Sequence, residues 1–163
     1  MRGACHAGRK NGIVVKPSRV LILLPALVLV VLSGCSSSEV GFGLPTLSPS
    51  DASAAIASGG AEPGPVSGEL AVESNGCFSW STGEGTVRPW VVWPDDAKHD
   101  GDGVILGSGE RVAAGAELEG IGAEVELADL PHAENPDSYF ASFGTFCAAD
   151  DTGVLVLTEV APD

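Results

Sequence analysis

From Glu69 to the C-terminus, short runs of alternating polar and apolar residues are separated by glycine turns, and this punctuation is what most constrains the fold. A period of two puts one set of side chains on one face of a strand and leaves the other set to solvent. Leu70 and Val72 alternate with Glu69, Ala71 and Glu73 ahead of Asn75-Gly76, a pair suited to the positive backbone angles of a tight hairpin. Cys77–Ser81 alternates again, Gly83-Glu84-Gly85 turns the chain, and Thr86–Trp93 is the most apolar strand. Pro89 inside that run has no ladder donor and implies an edge or a bulge. After a polar loop, strand texture returns at Val104–Leu106, Arg111–Ala113, Glu117–Leu127 and Val154–Val160. Residues 136–144 carry the marks of a short helix, opened near Pro136 and ended at Gly144. The expectation is a mainly β body over residues 69–163: a small barrel or sandwich of about six short strands, with an OB-like barrel among the options.

The front of the chain is of another kind. Five of the eight basic residues (Arg2, Arg9, Lys10, Lys16 and Arg19) precede residue 20, where no acid occurs. Residues 20–32 then form an unbroken apolar run of 13, short of the roughly 20 that a membrane-spanning helix needs but suited to the core of a signal peptide. The basic segment ahead of it is the part that stays cytoplasmic. Because that segment is long, translation from Val14 or Val15 is a reasonable reading of the start.

Leu32-Ser33-Gly34-Cys35 follows, then Ser36-Ser37-Ser38. This resembles the lipobox of bacterial lipoproteins, an apolar residue and two small ones before a cysteine. The resemblance implies a signal peptide over residues 1–34, cleavage after Gly34, and a diacylglyceryl group on the sulfur of Cys35. The mature protein is then held by its acyl chains on the extracytoplasmic side of the cell membrane, since two chains anchor stably where one does not. An ordinary secretory signal with a chance cysteine, or an uncleaved anchor, are the competing readings.

Residues 35–68 read as a disordered linker. Of the 33 residues after Cys35, 23 are Ser, Gly, Pro or Ala, too few apolar groups to offset ordering entropy. A flexible chain of that length would span about 30 Å between its ends. Ala52–Ala57 has the composition of a helical turn, but isolated turns are marginal.

Cysteine arithmetic supports one body. Cys5 leaves with the signal and Cys35 carries lipid, so Cys77 and Cys147 remain and are expected to pair in an oxidising compartment. Gly76-Cys77-Phe78 followed by Val91-Val92-Trp93-Pro94 resembles a pattern of small exported bacterial proteins, often lipoproteins. In these a "GC" strand precedes a "VWP" strand and a glycine-rich acidic hairpin. The likeness spans about residues 69–127 and implies a compact β domain with no assigned activity. It does not reach the irregular stretch from Ala128 to Cys147.

Charge narrows the function classes. The whole chain carries −14, and residues 35–163 hold three basic residues against 22 acidic ones, hence −19. Nucleic-acid binding, which needs a clustered basic face, is excluded as an expectation. Asp95, Asp96, Asp100 and Asp102 form an oxygen-rich loop with glycines, the chemistry Ca²⁺ prefers. The EF-hand spacing fails, because Lys98 or Val104 falls at ligand positions, so a solvated loop is the plainer reading and a Ca²⁺ site the sharper one.

Nucleophile motifs such as Gly-x-Ser-x-Gly and Ser-x-x-Lys are absent, and His99 and His132 neighbour no obvious nucleophile, so no catalytic residue is assigned. Glu124 and Glu126 fall on one strand face, which is the solvent-facing set. Trp90 and Val92 share one face of their strand, Val91 and Trp93 the other. Either that strand is covered on both sides, or Trp90 or Trp93 is an exposed ligand contact. Trp80 is expected in the core. The function expected is a non-enzymatic binding or structural module of the cell envelope, partnered by the bilayer and by an envelope protein or glycan. A Ca²⁺-linked or glycan-binding module using Trp93 or the Asp95–Asp102 loop comes second, and a small envelope hydrolase third.

Overall fold

A computed structural model describes residues 43–83 and 85–163. The expected signal peptide, Cys35 and the first part of the linker lie outside the described residues. Among the described residues no helix is long and apolar enough to cross a membrane.

Five strands make a closed barrel: β2 (Gly64–Val72), β3 (Phe78–Ser81), β4 (Trp90–Pro94), β8 (Glu117–Val125) and β9 (Val154–Pro162). They are hydrogen-bonded in the order β4-β3-β2-β8-β9, and β9 returns to β4 through a parallel pairing of Trp90–Val92 with Val154–Val156. The other pairings are antiparallel. In barrel-strand terms the order is 1-2-3-5-4-1 with the third and fifth strands parallel, the connectivity of an OB-type barrel.

Two further pieces complete the β structure. β5 (Lys98–Asp100), β6 (Gly103–Ile105) and β7 (Arg111–Ala113) form a separate three-stranded antiparallel sheet, inserted between the third and fourth barrel strands. β1 (Thr46–Leu47) runs parallel to the end of β4.

Closure demands tight curvature, and glycine permits it. A Cβ at Gly68 would stand 2.5 Å from the Trp80 indole nitrogen and 2.6 Å from the Ser81 carbonyl. At Gly120 and Gly122 it would strike carbonyls of β9, beside the register shift between Ile121 and Gly122. Glycines and a bulge at such points let a barrel strand bend sharply against its neighbours.

Two apolar clusters share β4. Val91 and Trp93 join Leu70, Phe78, Trp80, Leu118, Leu155 and Leu157, together with Val104, Leu106 and Val112 of the inserted sheet. Trp90 and Val92 face the other way, toward a second cluster built with Ile56, Val125, Leu127, Cys147 and Val154. The strand is thus covered on both sides. Pro89 lies just before it rather than within it, and its carbonyl accepts from the Trp80 amide at 3.0 Å.

The linker reading is corrected for residues 43–68. α1 (Pro49–Ser58) is an ordered helix, with Ser48 as N-cap accepting from the Asp51 amide and Pro49 at its first position. Ala52, Ala55 and Ile56 recur at helical spacing and are buried against the barrel. Residues 64–68, expected to be linker, are the first half of β2 and pair with Leu118–Gly122. The physical reason is tertiary: a helix this short gains little from propensity, and the core supplies what composition does not. The body therefore starts by residue 43, not at 69.

Candidate functional site

The hairpin between β2 and β3 turns at Asn75-Gly76 through a longer loop than the tight hairpin expected: Gly76 alone of the pair has positive φ (86°), and its amide donates to the Glu73 carbonyl at 2.8 Å. The Cys77 amide donates to Asn75 Oδ1, and Asn75 Nδ2 donates to the Phe146 carbonyl at 3.1 Å. That second bond ties the hairpin to α2 (Tyr139–Phe146), whose N-cap Ser138 accepts from the Ala141 amide. Cys77 and Cys147 form the disulfide at the same junction, with Cα atoms 5.8 Å apart. The turn Ala148 then adopts a left-handed conformation (φ 59°, ψ 27°) and leads into α3 (Ala149–Thr152).

Around this junction lies a cleft of about 380 Å³. Glu73 and Asn75 come from the hairpin, Ser79 from β3, Arg88 from the segment leading into β4, and Ala148 and Thr152 from the turn and helix before β9. Ser79 is the buried polar residue among the described residues, and its hydroxyl donates to Glu73 Oε1 at 2.7 Å. The same carboxylate oxygen stands 3.7 Å from Arg88 Nη1, with both charged side chains about half exposed (46%). The arrangement presents an acceptor and a planar multiple donor side by side at the mouth of a polar cleft. In OB barrels the face of the second and third strands and the loops joining strands 1–2 and 4–5 hold ligands, and this cleft is lined by the corresponding parts.

The residues singled out from sequence fall elsewhere. Trp90 and Trp93 are 1% and 0% exposed, so neither is an exposed ligand contact, and that expectation is corrected. Each faces one of the two cores because β4 is sandwiched; Trp90 meets Phe143 edge-on at 5.4 Å, and Trp93 meets Phe78 at 6.1 Å. Trp90, though buried, also lines the cleft.

The four aspartates are not brought together. Arg111 reaches across the inserted sheet, with Nε 2.6 Å from Asp100 Oδ2 and Nη2 2.6 Å from Asp102 Oδ1. A guanidinium thus occupies the centre of the carboxylate pair, and it holds the Asp102 carboxyl below its usual range through that hydrogen bond first. The Asp96 carboxylate lies instead against Gly107. Among the described residues no group of three His, Cys, Asp or Glu side chains is placed to hold a metal ion. His99 stands against Phe78 and His132 faces Glu134, and among the described residues neither hydrogen-bonds a hydroxyl. Glu124 and Glu126 are both exposed, and Glu126 heads the 3-10 turn Leu127–Asp129, where its amide donates to Asp129.

Sequence reasoning missed Glu73, Ser79 and Arg88. The one signal available was Arg88 itself, one of three cations after residue 34. No family model, curated protein or solved structure matches the chain.

Proposed function

We propose that the protein is a bacterial lipoprotein, anchored through acylated Cys35 on the outer side of the cell membrane, whose barrel is a non-enzymatic binding module of the envelope. The cleft between the hairpin and α3 is its ligand site. The observation that carries the binding reading is the Ser79–Glu73–Arg88 network, placed where barrels of this connectivity hold ligands. A carboxylate acceptor and guanidinium donors beside Asn75, Thr86 and Thr152 suit a hydroxyl-rich ligand, so an envelope glycan is the class favoured. The order of residues 1–38, basic, apolar, small and then cysteine, supports the anchor, and a disulfide-closed body agrees with an oxidising compartment.

Titrating the mature chain with soluble fragments of envelope glycan, followed by amide NMR, tests the site. Shifts gathered at Glu73, Ser79 and Arg88, and lost in Arg88→Ala with the remaining spectrum unchanged, are expected. Shifts gathered on another face, or none with any fragment, contradict it.

A further inference from the structure

α2 carries more exposed aromatic surface than its place in the fold requires. Tyr139 and Phe146 are each 52% exposed and, with Val87, are the exposed large apolar side chains among the described residues. They belong to one continuous cluster: Phe143 stacks on Phe146 at 6.4 Å and meets Tyr139 at 5.7 Å, while Phe140 meets Tyr139 at 5.2 Å. The inner side of the cluster is fixed to the core through Phe143 and Trp90. The outer side has no partner among the described residues.

The chain enters the body at this face. The Tyr139 hydroxyl lies so close to Gly43 that a Cβ there would be 3.2 Å from it. Gly43 and Pro45 also share a small recess with Phe143 and Phe146. Between Cys35 and Gly43 there are seven residues, a reach below about 30 Å even when fully extended. A tether that short keeps any surface beside its exit at high effective concentration near the bilayer, where a weak contact suffices. Phenolic and aromatic rings suit the boundary between headgroups and acyl chains.

We propose that the aromatic face of α2, formed by Tyr139, Phe143 and Phe146, docks on the phospholipid surface to which Cys35 anchors the chain. The inference rests on the lipoprotein reading. The charged residues next to α2 along the chain are Asp137 ahead of it and Asp150 and Asp151 after it, all acidic, while His99 lines the recess shared with Phe143 and Phe146. The lipid preferred is therefore zwitterionic, and anionic lipid weakens the contact.

The test uses the mature chain, its acylation established by intact mass, in phosphatidylcholine vesicles whose acyl chains are brominated near the headgroup. Trp80, Trp90 and Trp93 are buried and give the wild-type background. Phe146→Trp is expected to add a blue-shifted emission quenched at least twofold by the brominated lipid, with less quenching when phosphatidylglycerol is mixed in. In the unaltered sequence, amide exchange over residues 139–146 is expected to slow on vesicles relative to a lipid-free Cys35→Ser chain. A water-exposed, unquenched indole and unchanged exchange in an acylated chain overturn the docking alone. A mature chain without the acyl group overturns the docking and the lipoprotein reading together.

Discussion

Ala148 shows how single residues shape the cleft. It holds a left-handed conformation that costs an L-residue about 1–2 kcal/mol, and it does so at the turn that follows the disulfide. Ala148→Gly should raise stability by about 0.5 kcal/mol, after the extra freedom of glycine in the unfolded chain is subtracted; denaturant midpoints measure it. Gly68 has the opposite character, because a methyl group there meets Trp80 and Ser81. Gly68→Ala should cost about 1–3 kcal/mol, read in the same experiment.

The carboxylates of the inserted sheet give a pH prediction at this scale. Arg111 depresses the Asp102 carboxyl in the folded state. Its contribution is therefore complete above the ordinary carboxylate value of 3.8 and is lost as pH falls through the depressed folded value. Both partners are exposed, so the effect on global stability is small. Its signature is local: the protection of amides in 98–113, after correction for the intrinsic exchange rate, should fall at low pH, and Asp102→Asn should lower it already at neutral pH. Identical exchange in the variant would contradict the ion-pair role. The same residues show a limit of reading loops from composition. Four aspartates in eight positions suggest a cation site, but the strand pairing of β5, β6 and β7 delivers Arg111 to two of them.

At the scale of elements, strands were legible and the first helix was not. β7 falls where its short polar–apolar run puts it, and the start of β9 where the continuous apolar run Val154–Leu157 puts it, because both patterns are local properties. α1 has no such mark. Its core face is two alanines and Ile56, and its stability comes from Val125, Leu127 and their neighbours, which lie far along the chain. The glycine-rich first half of β2 likewise becomes a strand because β8 pairs with it. If α1 is part of the core, Ile56→Ala should cost about 2–4 kcal/mol and Ser48→Ala about 1 kcal/mol by thermal or chemical unfolding. A linker would tolerate both without change. The cleft was hidden for a related reason. Its hairpin turn is written locally as Asn75-Gly76, but Glu73, Ser79 and Arg88 come from separate segments that only the barrel brings together.

On the scale of the whole molecule, the disulfide joins the beginning of β3 to the end of α2 across 70 residues. Opening a loop of that length removes about 4 kcal/mol in the chain-entropy model, a large part of a small domain's stability. A Cys77→Ser, Cys147→Ser double variant should unfold at markedly lower denaturant concentration. It should also lose the cleft first, because the bridge joins the hairpin and the turn that line it.

The proposed anchor on Cys35 would set where all of this operates. The described body starts by residue 43, with seven residues between it and Cys35, so acylation there would make the membrane part of the protein's surroundings. Intact mass of the protein purified from a bacterial host's membranes addresses that directly. The expected species is a chain beginning at Cys35 with a diacylglyceryl group on its sulfur; a chain still carrying residues 1–34, with the Cys35 thiol free, overturns the lipoprotein reading.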